Sequence, residues 1–271
     1  TNFGSLIFNH SKKEEISEIA QKLDYQKSQN NIFQKSYIEE IINAINKLLI
    51  ISNEYHCVVT NPPYMGGGNM NNELSDFVKT EYPISKSDLM VCFMERGYTL
   101  LKINGYLGMI NMPSWMFLSS FEKYRKSMLR IFKIESLIHL GRGIFGADFG
   151  TVAFTFRKNS SIVGKGVYRR LFEQHVQVRS VDTIRNLFLD SKFGYYIATQ
   201  EEFLKIPSAP IAYWLNNNMF NIFTFKGIEH YLTPKFGMSV GDGQRFIRYG
   251  FEVSSNRWLR SASVLEQFSY D

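Results

Sequence analysis

Between Tyr55 and Phe156 the chain alternates short apolar runs with longer stretches of helical spacing, and this alternation constrains the fold more than any other feature. The runs at 55–60 and 151–156 are rich in β-branched and aromatic residues, 106–112 is apolar, and these three together with 134–140 end at Pro, Gly or polar clusters. Runs of that length without polar alternation fit strands covered on both faces. The stretches at 88–102 and 114–131 are long enough for crossover helices, so an α/β fold with parallel strands is expected. Residues 141–150 hold four glycines and leave no room for a crossover helix, so the run at 151–156 is expected to lie antiparallel to its neighbour. The expectation is a parallel sheet with an antiparallel pair at its edge.

Upstream, Ile16, Ile19, Ala20 and Leu23 mark an amphipathic helix over 11–24, and Tyr37, Ile41, Ile45 and Leu48 mark a second through Ile51. Asp88 is placed to cap the helix that follows it, with Asn104-Gly105 as its left-handed stop. Residues 65–72, with three consecutive glycines, are expected to form a mobile loop. Beyond Lys158 the pattern breaks into short strands, short helices and polar turns, which sets a domain boundary near residue 160.

Hydrophobic residues make up 44% and charged residues 21% of the chain, which excludes a disordered class. No apolar run reaches the length of a membrane span, and the first residues carry no signal-peptide pattern. Cys57 and Cys92 sit in apolar stretches without metal-ligand spacing, so both are expected as buried reduced thiols of a cytoplasmic protein, with no metal. The net charge of +6 suits a polyanionic partner. Residues 157–185 hold seven basic side chains against Glu173 and Asp182, and Lys165, Arg169, Arg170 and Arg179 are the candidate phosphate track. The competing reading is a solvated, half-exposed strand, because the arginines are interleaved with Tyr168, Leu171 and Phe172.

Asn61-Pro62-Pro63-Tyr64 follows directly on the first apolar run. In open α/β sheets ligands bind at the carboxyl ends of strands. Two prolines fix the backbone so that the Asn61 oxygen and a proline carbonyl can act as acceptors, with the Tyr64 ring as a stacking face. That array fits a planar amino group, held toward an electrophilic methyl without a covalent intermediate. Without context, the same tetrapeptide reads as a plain strand-to-loop turn with a partly buried tyrosine.

The tetrapeptide resembles the catalytic motif of amino-methyltransferases that use S-adenosylmethionine. Ser85-Lys86-Ser87-Asp88-Leu89, Phe93-Met94-Glu95-Arg96-Gly97, Gly105-Tyr106-Leu107-Gly108-Met109-Ile110, Ser114-Trp115-Met116-Phe117 and Tyr124-Arg125 then follow in an order that resembles adenine-specific DNA methyltransferases of the large restriction–modification and phage-defence type, with the BREX methyltransferases the nearest likeness. The resemblance covers 55–160 well and 207–214 and 237–248 more loosely. It implies a Rossmann-like S-adenosylmethionine-dependent methyltransferase sheet, in its C-terminal half, over residues 1–160. A mixed α+β connector and the start of a target-recognition region would occupy 161–271. Asn61 and Pro62 would accept hydrogen bonds from a flipped adenine of double-stranded DNA, Pro63 would complete the turn, and Tyr64 would stack on the base. Trp115 and Phe117 would be core or pocket wall, and other defence-system subunits would be partners.

One departure stands out. The family's glycine-rich cofactor turn belongs upstream of the catalytic strand, yet residues 1–54 read as two helices. The expectation is therefore a truncated catalytic domain, with Asn2 and Phe3 as remnants of the cofactor's adenine contact beside Asn61. Such a chain would neither bind S-adenosylmethionine tightly nor methylate by itself. The alternatives are a protein-glutamine methyltransferase, since a carboxamide presents the same planar amine, and a non-catalytic DNA-binding subunit of a defence complex.

Overall fold

The structure is a computed structural model that describes residues 3–9, 13–29, 32–145, 149–158, 164–174, 177–227, 230 and 232. Two compact units divide at Phe225/Lys226. The second unit has few described residues, among them Lys226 with its Nζ 3.2 Å from His230 Nε2.

The first unit is built on one six-stranded sheet. After helices α1 (Lys13–Gln29) and α2 (Ile32–Ser52) come β1 (Tyr55–Thr60), α3 (Asn72–Glu81), α4 (Leu89–Thr99), β2 (Leu101–Asn111) and α5 (Glu122–Ile131). Then follow β3 (Phe132–Arg142), β4 (Gly150–Lys158), β5 (Lys165–Arg170), α6 (Val181–Leu189), β6 (Tyr195–Thr199), α7 (Gln200–Lys205) and α8 (Asn217–Ile222). The spatial order is β1-β2-β4-β3-β5-β6. β1 with β2 and β3 with β5 are parallel, while β4 runs antiparallel to both its neighbours and β6 antiparallel to β5.

The α/β class and the antiparallel direction of β4 match the sequence, but two placements differ. β4 lies inside the sheet, between β2 and β3, rather than in a pair at its edge. The reason lies in the residues assigned to a second domain: β5 and β6 add to the free side of β3 and carry the edge outward. For the same reason the boundary near 160 falls within one sheet, and the first unit continues to Phe225.

The sequence predicts β1 as a buried strand with a buried Cys57. Among the described residues it pairs only with β2, Val59 is 75% exposed and Cys57 is exposed; Cys92 is buried as expected. An apolar run shows that a strand tolerates cover on both faces, and it does not supply the neighbour.

Helix α4 ends at Thr99, earlier than the Asn104-Gly105 stop. Lys158 donates from Nζ to Tyr98 O at 3.0 Å and Leu101 O at 2.6 Å, which satisfies carbonyls at the α4–β2 junction. Asn104 is left-handed, with φ of 67°, but it serves an irregularity in β2, where the partners jump from Tyr55–Leu101 to Cys57–Tyr106. The expected helix over 114–131 is two 3-10 turns, Pro113–Met116 and Ser119–Phe121, followed by α5. Pro113 at the first position removes a donor that the turn does not need.

The main core gathers Met90, Met94, Trp115, Phe132, Phe154 and Phe156 between the sheet and α4 and α5. Gly97 lets α4 approach β2 closely, since a Cβ there would lie 2.8 Å from Leu107 Cδ1. A smaller cluster of Leu6, Val78, Tyr82, Leu89 and Cys92 anchors the first residues. Arg96 reinforces that anchor, donating to Ser5 O at 2.9 Å and Ile51 O at 2.7 Å, with its guanidinium 4.8 Å from the Phe8 ring centre.

Candidate functional site

The carboxyl end of β1 delivers Asn61-Pro62-Pro63-Tyr64. Pro62 is buried and fixes the turn, while Asn61 and Pro63 are exposed and Tyr64 is half-buried. The Tyr64 hydroxyl donates to Asn61 Oδ1 at 2.6 Å and also lies 3.2 Å from Ile110 O at the end of β2. Burial raises the Tyr64 pKa, so the phenol stays protonated and keeps its role as donor. The carboxamide oxygen expected to accept an amine therefore already faces the site and is paired with the ring expected to stack. A carboxamide oxygen has two lone pairs and can take two donors, so this contact leaves Asn61 one acceptor direction open.

The loop after the motif is held rather than loose, contrary to the expectation for 65–72. Asp88 Oδ1 accepts from Met65 N at 3.2 Å and from Met90 N at 3.0 Å, so one carboxylate caps α4 and fastens the residue next to Tyr64. Leu89 N to Met65 O at 3.0 Å and Gly67 N to Ser87 O at 3.0 Å complete the latch, and Gly67–Asn69 forms a 3-10 turn. Asp88 thus fills the capping position read from the sequence. Desolvation raises its pKa, partly offset by the two backbone donors.

Behind the motif, buried Asn111 closes β2, accepting at Oδ1 from Trp115 Nε1 at 3.0 Å. Trp115 is fully buried core, whereas Phe117 is part-buried beside His139 and Trp214. Phe149 was missed: its ring meets Tyr64 edge-on, with centroids 5.9 Å apart. No local pattern signals it: β4 lies between β2 and β3 and begins at the edge where β1 and β2 end, so the residue just before it lands at the site.

Phe3 stacks face to face on Phe77 of α3, with centroids 4.2 Å apart; Asn2 lies outside the described residues, as does the segment 237–248. Upstream of β1 the described residues form a 3-10 turn and two helices, with no glycine-rich strand-to-helix turn. The described residues therefore fit the amine-accepting side of a methyl transfer and do not fit the cradle for the rest of S-adenosylmethionine.

The four basic candidates do not share one surface. Arg169 and Arg170 are consecutive in a strand and point to opposite faces. Arg169 donates to Leu187 O, Phe188 O, Asp190 O and Phe193 O and so closes the end of α6. Arg179 donates to Leu171 O and Gln174 O. Lys165 is exposed at the opposite end of β5 from Arg170. Among the described residues no group of His, Cys, Asp and Glu could hold a metal, and no helix is long and apolar enough to cross a membrane.

Comparison with known proteins adds to this geometry. The chain is 38% identical over 199 residues to the adenine-specific methyltransferase BrxX of Escherichia coli O9:H4 (strain HS), covering 72% of this chain and 16% of that protein. It is 36% identical over 221 residues to the adenine-specific methyltransferase PglX of Lacticaseibacillus casei (strain Zhang), covering 79% of this chain and 18% of that one. The chain thus spans about a sixth of the length of these relatives. Among solved structures it is similar to the type I restriction-modification methyltransferase subunit of Streptococcus thermophilus, at 17% identity and a TM-score of 0.40, over 56% of this chain and 36% of that one. The model of the Eco57I restriction-modification methylase family matches residues 3–145, the stretch that holds Asn61–Tyr64 and its Asp88 latch, and the chain belongs to that family.

Proposed function

We propose that this chain supplies the target-base half of an adenine-specific DNA methyltransferase of phage-defence type, acting in the cytoplasm on double-stranded DNA. The observation that carries the reading is the exposed Asn61 carboxamide at the end of β1, beside the Tyr64 ring and at the carboxyl edge of the sheet. Asn61 Oδ1 and the Pro62 carbonyl accept hydrogen bonds from the two N–H groups of the adenine amine. Drawing on both hydrogens localises the nitrogen lone pair and aims it away from the acceptors. Tyr64 stacks on the base, a contact worth about 1–3 kcal/mol, and Phe149 meets the Tyr64 ring edge-on. Reaching these groups requires the base to leave the duplex. S-adenosylmethionine supplies a methyl group of sulfonium character, bound by portions of the protein other than the described residues.

The adenine substrate rather than a protein glutamine is supported by the two relatives named as adenine-specific methyltransferases. Further defence-system subunits are partners in this reading. The test is transfer of labelled methyl from S-adenosylmethionine by the protein in its full natural length, offered plasmid DNA and translation release factors side by side. Label in DNA is the expected result. Label in protein alone overturns the reading in favour of a glutamine substrate, and label in neither, with cofactor bound, points to a non-catalytic subunit.

A further inference from the structure

Arg170 differs from the other basic side chains of its stretch. Its guanidinium carbon lies 5.8 Å from the Phe172 ring centre, 5.8 Å from Tyr196 and 5.9 Å from Trp214. Among the described residues it has neither a hydrogen-bond acceptor nor a carboxylate partner, whereas Arg169 and Arg179 are consumed by backbone carbonyls. Ring faces attract the cation without using its N–H donors, so the fork of the guanidinium remains unspent and is held in place.

Its position is fixed by the sheet register. Arg170 pairs with His139, His139 with Val152, and Val152 with Asn111, while Thr60 pairs with Met109 two residues earlier. Arg170 therefore stands in the same row as Pro62, on the carboxyl edge, four strand spacings away. At about 4.8 Å per strand that is roughly 19 Å, or five to six base steps of DNA at about 3.4 Å each. The ground between carries aromatic rings: Phe117 packs 5.7 Å from Trp214, and Trp214 is 37% exposed beside Arg170.

We infer that Arg170, set in its ring of Phe172, Tyr196 and Trp214, is a phosphodiester clamp for the strand that flanks the flipped adenine, with Trp214 as the ring against which the adjoining nucleotide lies. The inference rests on the DNA reading of the Asn61 site and adds a second contact to it. A caged guanidinium is weakly hydrated and presents two parallel donors, which suits a bidentate phosphate contact better than a flexible lysine does.

The test is fluorescence anisotropy of a labelled duplex against the protein in its full natural length, between about 50 and 200 mM salt. The variants are Arg170→Gln, Arg170→Lys and Asn61→Ala. Loss of one phosphate contact is expected to reduce the slope of log K against log salt by about one in Arg170→Gln, with affinity down about tenfold at the low-salt end. Arg170→Lys is expected to keep the slope and lose affinity several-fold, and Asn61→Ala to keep the slope. An Arg170→Gln slope and affinity equal to the unsubstituted protein overturn the inference. Should Arg170→Gln fail to fold, an Arg170→Lys affinity equal to the unsubstituted protein overturns it. Absence of DNA binding by the unsubstituted protein removes the DNA reading along with the clamp, whereas intact methylation with an unchanged Arg170→Gln removes the clamp alone.

Discussion

Arg125 is fully buried and among the described residues forms no salt bridge to a carboxylate, yet it fastens the 206–210 turn to the turns that follow β2. It donates to Trp115 O at 2.9 Å, Leu118 O at 2.5 Å, Ser208 O at 2.8 Å and Ala209 O at 3.2 Å. Ser208 and Ala209 hold left-handed backbone, with φ of 63° and 48°, which non-glycine residues adopt only when the surroundings impose it. Arg125→Met keeps the apolar stem and removes the donors. The contacts to Trp115 O and Ala209 O are buried, while those to Leu118 O and Ser208 O are reachable by water. Two buried carbonyls left without donors cost about 1–3 kcal/mol each, so the expected loss is about 2–6 kcal/mol. For a unit of this size that lowers the melting temperature by roughly 5–20 °C, read by calorimetry or circular dichroism. A fall of less than about 2 °C would refute the assignment of the turn's geometry to Arg125.

Burial pushes the Cys92 thiol up to about 12 while Cys57 is exposed, so a thiol reagent at mildly alkaline pH should modify one cysteine quickly and the second only on unfolding; two fast thiols contradict the packing of α4. Burial also raises the Asp88 pKa, so the folded state binds a proton more readily than the unfolded chain. Stability should therefore fall as pH rises from the ordinary carboxylate range through the raised value, and urea midpoints across that window should fall less steeply in Asp88→Asn, whose Oδ1 still accepts both backbone donors. Equal slopes count against burial of the Asp88 carboxylate. Calorimetric titration of this chain with S-adenosylmethionine should show no tight stoichiometric binding, and tight binding would contradict the absence of a cofactor cradle among the described residues upstream of β1.

The site was more legible than the sheet around it. Asn61–Tyr64 is a local feature, with prolines that fix their own backbone, and Asp88 caps its own helix, so neighbouring residues suffice to read both. β4 sits between β2 and β3 because of partners distant in sequence, and the apolar run of β1 carried no information on whether a strand lies on its far side. Arg169 and Arg170 look equivalent in sequence, yet strand alternation sends one to the carbonyls of α6 and the other to a ring of aromatics. Phe149 touches Tyr64 only because two strand ends converge, which no local pattern records.

The most direct test of the central claim is nucleoside analysis of chromosomal DNA from cells that express the protein in its full natural length with its neighbouring defence genes, beside Asn61→Ala at equal protein level. N6-methyl-2′-deoxyadenosine present with the unsubstituted protein and absent with Asn61→Ala is the predicted result. Equal N6-methyl-2′-deoxyadenosine in both would contradict it, because the amine acceptor at the end of β1 would then play no part in the reaction.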